Sequence, residues 1–177
     1  MKSVKVIGIA FSVFWMITIF YFSNQTAVKS DTISRNVVTT FIIEHIEGYS
    51  SLEVEKQTDI ADKLDFAVRK LAHFTEYAIL SVFYTIGLIG FNIHKKYNKG
   101  YLILISSIMC CVYSVTDEFH QLFVSGRNGN IRDICIDTLG GITGAVFVTI
   151  ILVIILKIKL KRVKRSKEVI EGWYIDR

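Results

Sequence analysis

The 177-residue chain contains no proline, which excludes proline kinks and breaks from any helix it forms. Cysteine is nearly as scarce: Cys110, Cys111 and Cys135 lack the spacing of a metal knuckle, and inside apolar runs a thiol is an inert small hydrophobe. There is no internal repeat, no low-complexity segment, no nucleophilic serine elbow and no complete metalloprotease motif. Ser125-Gly126-Arg127 lacks the histidine that a membrane lipid phosphatase would place beside it. Ionisable residues are almost missing from Ile86–Ile93, Leu102–Ile108 and Val146–Leu156.

Hydrophobic residues, by contrast, make up 51% of the chain, and the mean hydropathy is +0.43. Four apolar runs reach or approach the roughly 17–25 residues that a membrane helix needs. They cover 6–22, 71–93, 101–124 (its last third polar) and 134–156. Four such helices are too many for a soluble chain of this size to bury. The expected fold is an all-α membrane protein, an antiparallel four-transmembrane-helix bundle occupying residues 1–160, followed by a basic tail at 161–177. The first run is expected to be an uncleaved helix and not a cleaved signal peptide. It carries Phe11, Phe14, Trp15, Phe20, Tyr21 and Phe22 and ends without a small-x-small cleavage site.

Lys and Arg set the expected orientation. Lys2, Lys5, Lys95, Lys96 and Lys99 flank one side of the spans, with seven more basic residues between Lys157 and Lys167. Residues 24–70 hold six basic against eight acidic groups, and 117–133 hold two against three. The positive-inside rule then places both termini in the cytoplasm. The +5 net charge is a matter of topology and lipid contact, and no nucleic-acid partner is expected.

With that topology every polar cluster falls on the outer side. Helical spacing gives each of three spans a polar stripe. These are Arg69, His73 and Glu76 or Tyr77 on the second span, and Asp117 with both His120 and Gln121, above Ser114, on the third. On the fourth they are Asp133, Asp137 and Gly140 or Gly141. Such stripes face the bundle interior, because charge against acyl chains is costly. Gly140-x-x-x-Gly144 adds a small-x-x-x-small surface for close helix approach. In the outer loop, Ile33, Val37, Val38, Phe41, Ile42 and Ile46 recur at helical spacing, as in an amphipathic interfacial helix. A break follows at Gly48–Ser51, and Thr58-Asp59 reads as the next helix start.

These residues resemble the VanZ-like family of bacterial membrane proteins. The likeness runs through Ser23-Asn24-Gln25, Ser30, Ser34, Lys70-Leu-Ala-His73-Phe74, Glu76-Tyr77, Asp117-Glu118-Phe-His120-Gln121, Gly126-Arg127, Arg132-Asp133 and Asp137-Thr138-x-Gly140-Gly141-x-x-Gly144. It covers about residues 15–150. Two positions depart from the usual pattern: Ser125 stands where proline is common, and Asp137 where asparagine is common. The resemblance implies modification of the cell surface that gives low-level resistance to the glycopeptide teicoplanin.

Four readings of the polar residues stand side by side. His73, Glu76, Asp117 and His120 have the spacing to offer ligands to a divalent metal. His73 or His120 beside a carboxylate would suit acid–base chemistry on a lipid-linked peptidoglycan precursor, making the protein a membrane-embedded enzyme. Arg127 and Arg132 would grip a phosphate or carboxylate, with Gln121, Asp133 and Asp137 orienting the rest, in binding without turnover. Lastly, Arg69, Arg127 and Arg132 would simply neutralise Asp117, Glu118 and Asp133. His45 and His94 are expected at the membrane edge, Trp15 packed or lipid-facing, and Trp173-Tyr174 at the inner interface.

Overall fold

A computed structural model describes residues 2–45, 48–91 and 98–175. Within these residues the chain forms helices α1 (Lys2–Ser23), α2 (Ala27–His45), α3 (Val54–Gly90), α4 (Gly100–Gln121) and α5 (Ile131–Ile175), with a 3-10 turn at Tyr49–Ser51. Four of them, all but α2, contain stretches long and apolar enough to cross a membrane. Among the described residues there is no strand. Ile46, Glu47, Ile93, His94, Lys95 and Lys96 lie outside the described residues.

Side-chain and backbone contacts fix the helix directions. Gly8 meets Gly87 and Gly90 meets Lys5, so α1 and α3 run antiparallel and touch backbone to backbone. The Thr85 and Ser106 hydroxyls lie 2.8 Å apart across the antiparallel α3–α4 pair. Ser114 on α4 reaches Asp137 on α5, and Cys110 packs on Gly141, which sets that pair antiparallel too. Gly140 and Gly144 rest on the carbonyls of Phe74 and Ala78, so α5 lies parallel to α3 with no side chain between them. The apolar centre consists of Ile19, Tyr77, Leu80, Tyr84 and Cys110, with Trp15, Met16 and Tyr113 packed around it.

Polar groups stitch the apolar packing at defined points. The Trp15 indole donates to the Glu76 carbonyl at 2.8 Å, and the Tyr113 hydroxyl donates to the Met16 carbonyl at 2.7 Å. Trp15 is therefore a packed residue with its N–H satisfied, as a buried indole requires.

Several boundaries differ from the sequence expectation. Helix α3 starts at Val54, four residues before Thr58, because nothing in 54–57 opposes helix and Glu55 favours the first turn. Its 37 residues span roughly 55 Å, well beyond a hydrocarbon core of about 30 Å. The extra turns pair with α2 as a helical hairpin: Arg35 bonds Asp62 at 2.5 Å, and Arg69 bonds Asp31. Val38 and Ile42 are buried in that hairpin, whereas Ile33, Val37 and Phe41 are exposed, the division an interfacial helix shows. Helix α4 ends at Gln121 instead of near residue 124, as Leu122, Phe123 and Val124 tighten into i→i+3 turns. Helix α5 passes through 161 without a break, there being no glycine or proline from 145 to 171 to stop it.

Candidate functional site

The polar stripes of α3 and α4 meet at one end of the bundle, where a cavity of about 530 Å³ opens. Its volume falls within the range of small-ligand pockets, about 300–1,000 Å³. Charged and amide side chains on its walls include His73 and Glu76 from α3, Asp117 and Gln121 from α4, Arg127 from the following loop and Asp133 from α5. The lining also includes apolar side chains, Ile19 and Phe22 of α1, Ile33 and Val37 of α2 and Phe66 of α3. The hairpin of α2 and the α3 extension thus forms one side of the cavity.

Most of the charges in and around it are spoken for. Arg69 pairs with Asp31 and, at 3.1 Å, with Asp65. Lys70 pairs with Asp133 at 2.5 Å, joining α3 to α5. Glu118 accepts the Asn130 N–H at 2.7 Å, which closes the loop that leads into α5. Gln121 donates weakly to both Asp117 (3.2 Å) and Glu118 (3.3 Å), and its own oxygen accepts from Arg127 at 3.4 Å. Gly126 turns the chain at φ +76°, a conformation suited to glycine, and the next residue sends its Nε to the Gln25 carbonyl at 2.9 Å.

Three groups on the cavity wall are left without an ion partner. Among the described residues Arg127 meets only neutral oxygens, and the Glu76 carboxylate has neither a hydrogen bond nor an ion pair. Asp117 is 3% exposed, and its donors, the Gln121 amide and the Ser23 hydroxyl, are both neutral. Behind this wall, Asp137 is fully buried and accepts the Ser114 hydroxyl at 2.6 Å. Its other oxygen lies 3.8 Å from His73 Nδ1, so His73 stands between the cavity and a buried carboxylate.

Not every candidate converges. His120 turns away toward α1, where it contacts Asn24 Oδ1 at 3.3 Å and lies 4.5 Å from the Phe20 ring, centroid to centroid. It sits one turn along α4 from Asp117, but on the flank that packs against the end of α1 instead of the cavity. Arg132 is exposed, with its backbone N–H bonded to Asn130 Oδ1. Consequently the four-ligand set His73, Glu76, Asp117 and His120 does not assemble. Among the described residues no three His, Cys, Asp or Glu side chains converge closely enough to hold a metal ion. The expected charge pairing is also redrawn: Lys70, not an arginine, neutralises Asp133, and Arg69 serves Asp31 and Asp65.

Sequence reasoning missed two contributors to this site. Asp31 is contributed by α2, 38 residues before its partner Arg69, a pairing no local spacing reveals. Asp65 stands four residues before Arg69, and that i,i+4 spacing was a readable signal. His45 is exposed and stacks on Phe41, away from the cavity, and all three cysteines are free.

The fold and this end cavity define a multi-helix integral membrane protein with an amphipathic pocket at one face. The VanZ/LLP1 family model matches residues 8–154, and the chain belongs to that family. Neither the curated proteins nor the solved structures yield a match to it.

Proposed function

We propose that the protein holds the polar head of an envelope lipid in this cavity at the outer leaflet, and that this handling lowers sensitivity to teicoplanin. The observation that carries the reading is the mixed lining: apolar Ile19, Phe22, Ile33, Val37 and Phe66 share one cavity with charged groups. A soluble polar solute needs no apolar lining, whereas a lipid brings a headgroup and the start of its chains together. The location is the bacterial cell membrane, with both termini cytoplasmic. Lys5 lies over the Phe91 ring at the end of the bundle remote from the cavity, in accord with a basic inner face. Membrane lipids, and a lipid-linked peptidoglycan precursor among them, are the partners this reading names.

A second reading is a membrane-embedded enzyme acting on a lipid-linked cell-wall intermediate. Its support is His73, which lines the cavity and has the Asp137 carboxylate 3.8 Å behind its Nδ1, a separation that would have to close for Asp137 to orient it as a base. A released product from a lipid-linked substrate would favour this reading over binding alone.

The function test uses charge-removing changes on the cavity wall. Arg127→Gln and Glu76→Gln should accumulate normally on immunoblots of membranes yet return teicoplanin susceptibility to that of cells lacking the protein. Cys135→Ser, on an exposed flank of α5, should protect as the parent does. Full protection by both cavity variants would refute a role for the cavity. If the parent itself gives no shift in susceptibility, the resistance assignment fails for this member.

Topology has its own test. Reporter fusions after Asn98 and Lys167 should read as cytoplasmic, and fusions after Ser51 and Asn128 as external. A cytoplasmic signal at 51 or 128 would place the cavity on the inner leaflet and remove the outer-leaflet reading.

A further inference from the structure

The charges left over in the cavity are of both signs, and this specifies the ligand more narrowly than lipid handling does. Internal pairing removes Arg69, Lys70, Asp31, Asp65 and Asp133 from consideration. Among the described residues, what remains is Arg127, bonded to neutral oxygens, and the two carboxylates Glu76 and Asp117. Asp117 is buried, and the donors beside it, the Gln121 amide and the Ser23 hydroxyl, are both neutral. A buried carboxylate held by neutral donors is costly, and a cationic donor matches it best. A guanidinium held by neutral acceptors retains its full charge and free N–H groups for an anion.

The geometry points to a zwitterionic ligand that carries a phosphate and a primary ammonium, of the aminoalkyl-phosphate type. Arg127 receives the phosphate; Glu76 and Asp117 receive the ammonium. This deepens the proposed function and rests on it, since it names the head that the cavity takes. A purely anionic phosphate head would satisfy Arg127 but would bring negative charge against Glu76 and Asp117. A simple cation would satisfy the carboxylates and leave Arg127 facing like charge. The zwitterion alone answers both, and about 530 Å³ accommodates it beside the apolar side chains of the lining. The chemistry could come from a bilayer lipid headgroup or from a free aminoalkyl phosphate.

Native mass spectrometry of the full-length protein in a non-ionic detergent tests this directly. Equal amounts of short-chain phosphatidylethanolamine and phosphatidylglycerol, which share the phosphate and differ in the ammonium, are offered together. The expected result is retention of the ethanolamine lipid by about tenfold over the glycerol lipid, the scale of one charge-assisted contact. Glu76→Gln and Asp117→Asn should each bring that preference to within about twofold, while Arg127→Gln should weaken both lipids. Cys135→Ser should keep the parent's preference. Free phosphoethanolamine, added in excess, identifies the source: persistence of the lipid adduct assigns the headgroup of a lipid, and its displacement assigns a soluble aminoalkyl phosphate.

Equal retention of the two lipids by the parent, or preference for phosphatidylglycerol, overturns the zwitterion assignment and leaves lipid handling standing. Retention of neither probe, with no co-purified lipid, overturns the proposed function itself. The parent comparison needs no variant, so a substitution that prevents accumulation does not decide the outcome.

Discussion

Gly144→Leu should remove most of the protein from the membrane, to about a tenth of the parent's level or less. At this position a Cβ would lie far inside van der Waals contact with the Ala78 carbonyl oxygen, and at Gly140 it would do the same with that of Phe74. Both obstacles are backbone, which cannot swing aside as a flexible side chain would. Helices α3 and α5 would have to separate, losing the close contact that stands in for hydrophobic driving force inside lipid. Overpacking a well-filled site costs about 1–3 kcal/mol, and more where backbone is the obstacle. Against a total stability on the order of 5–15 kcal/mol, that is a large share. Separation would also carry Asp133 from Lys70 and Asp137 from His73, since both carboxylates ride on α5 and both partners on α3. Gly100→Leu is the matched control, because a Cβ there meets nothing closer than Asn98 Oδ1 at 3.8 Å. Immunoblotting of membrane fractions makes the comparison. Equal accumulation of Gly144→Leu and the parent would show that α3 and α5 do not pack in this way.

Breaking the Lys70–Asp133 pair on one side should destabilise more than removing it altogether. The two side chains are 21% and 13% exposed and 2.5 Å apart, so each relies on the other more than on water. Lys70→Met leaves a carboxylate poorly solvated beside Glu118, and Asp133→Leu leaves an ammonium in the same place. Removing one partner of a fully buried pair costs about 3–5 kcal/mol; partial exposure reduces this to about 1–3 kcal/mol. In the double variant Lys70→Met, Asp133→Leu, neither charge is left, and apolar side chains fill a site bordered by Phe66. Its thermal midpoint in detergent should therefore exceed that of either single variant. Additive losses in the double variant would mean that the two residues do not depend on one another.

A great deal of this molecule was legible before any coordinates. Hydrophobicity by itself dictates membrane helices, because inside lipid a backbone must satisfy its own hydrogen bonds, and a run such as Ile134–Leu156 has no other way to do so. The absence of proline carries α5 unbroken past residue 161. The spacing of Gly140 and Gly144 anticipated a close helix approach, since only glycine lets two backbones touch. Helical periodicity likewise put His73 with Glu76, and Asp117 with Gln121, on shared faces, and both pairs line the cavity.

Pairing across the bundle was another matter. A stripe on one helix says which way it faces, not which residue of another helix stands opposite. That depends on crossing angle and on how far each helix slides along its neighbour, both set by packing. So His120, a single residue from Gln121, leaves the cavity for Asn24 and Phe20 because α1 ends beside it. Asp31 claims Arg69 only because α2 folds back along an α3 that begins earlier than its composition suggested. Lys70 takes Asp133, and that choice frees Arg127 to face the cavity with its charge unmatched. The sequence alone determined a four-span membrane bundle with its polar residues gathered at one end. Tertiary packing decided which charges cancel and which are left for a ligand, because cancellation depends on distances of a few ångströms between helices that no spacing along one helix encodes.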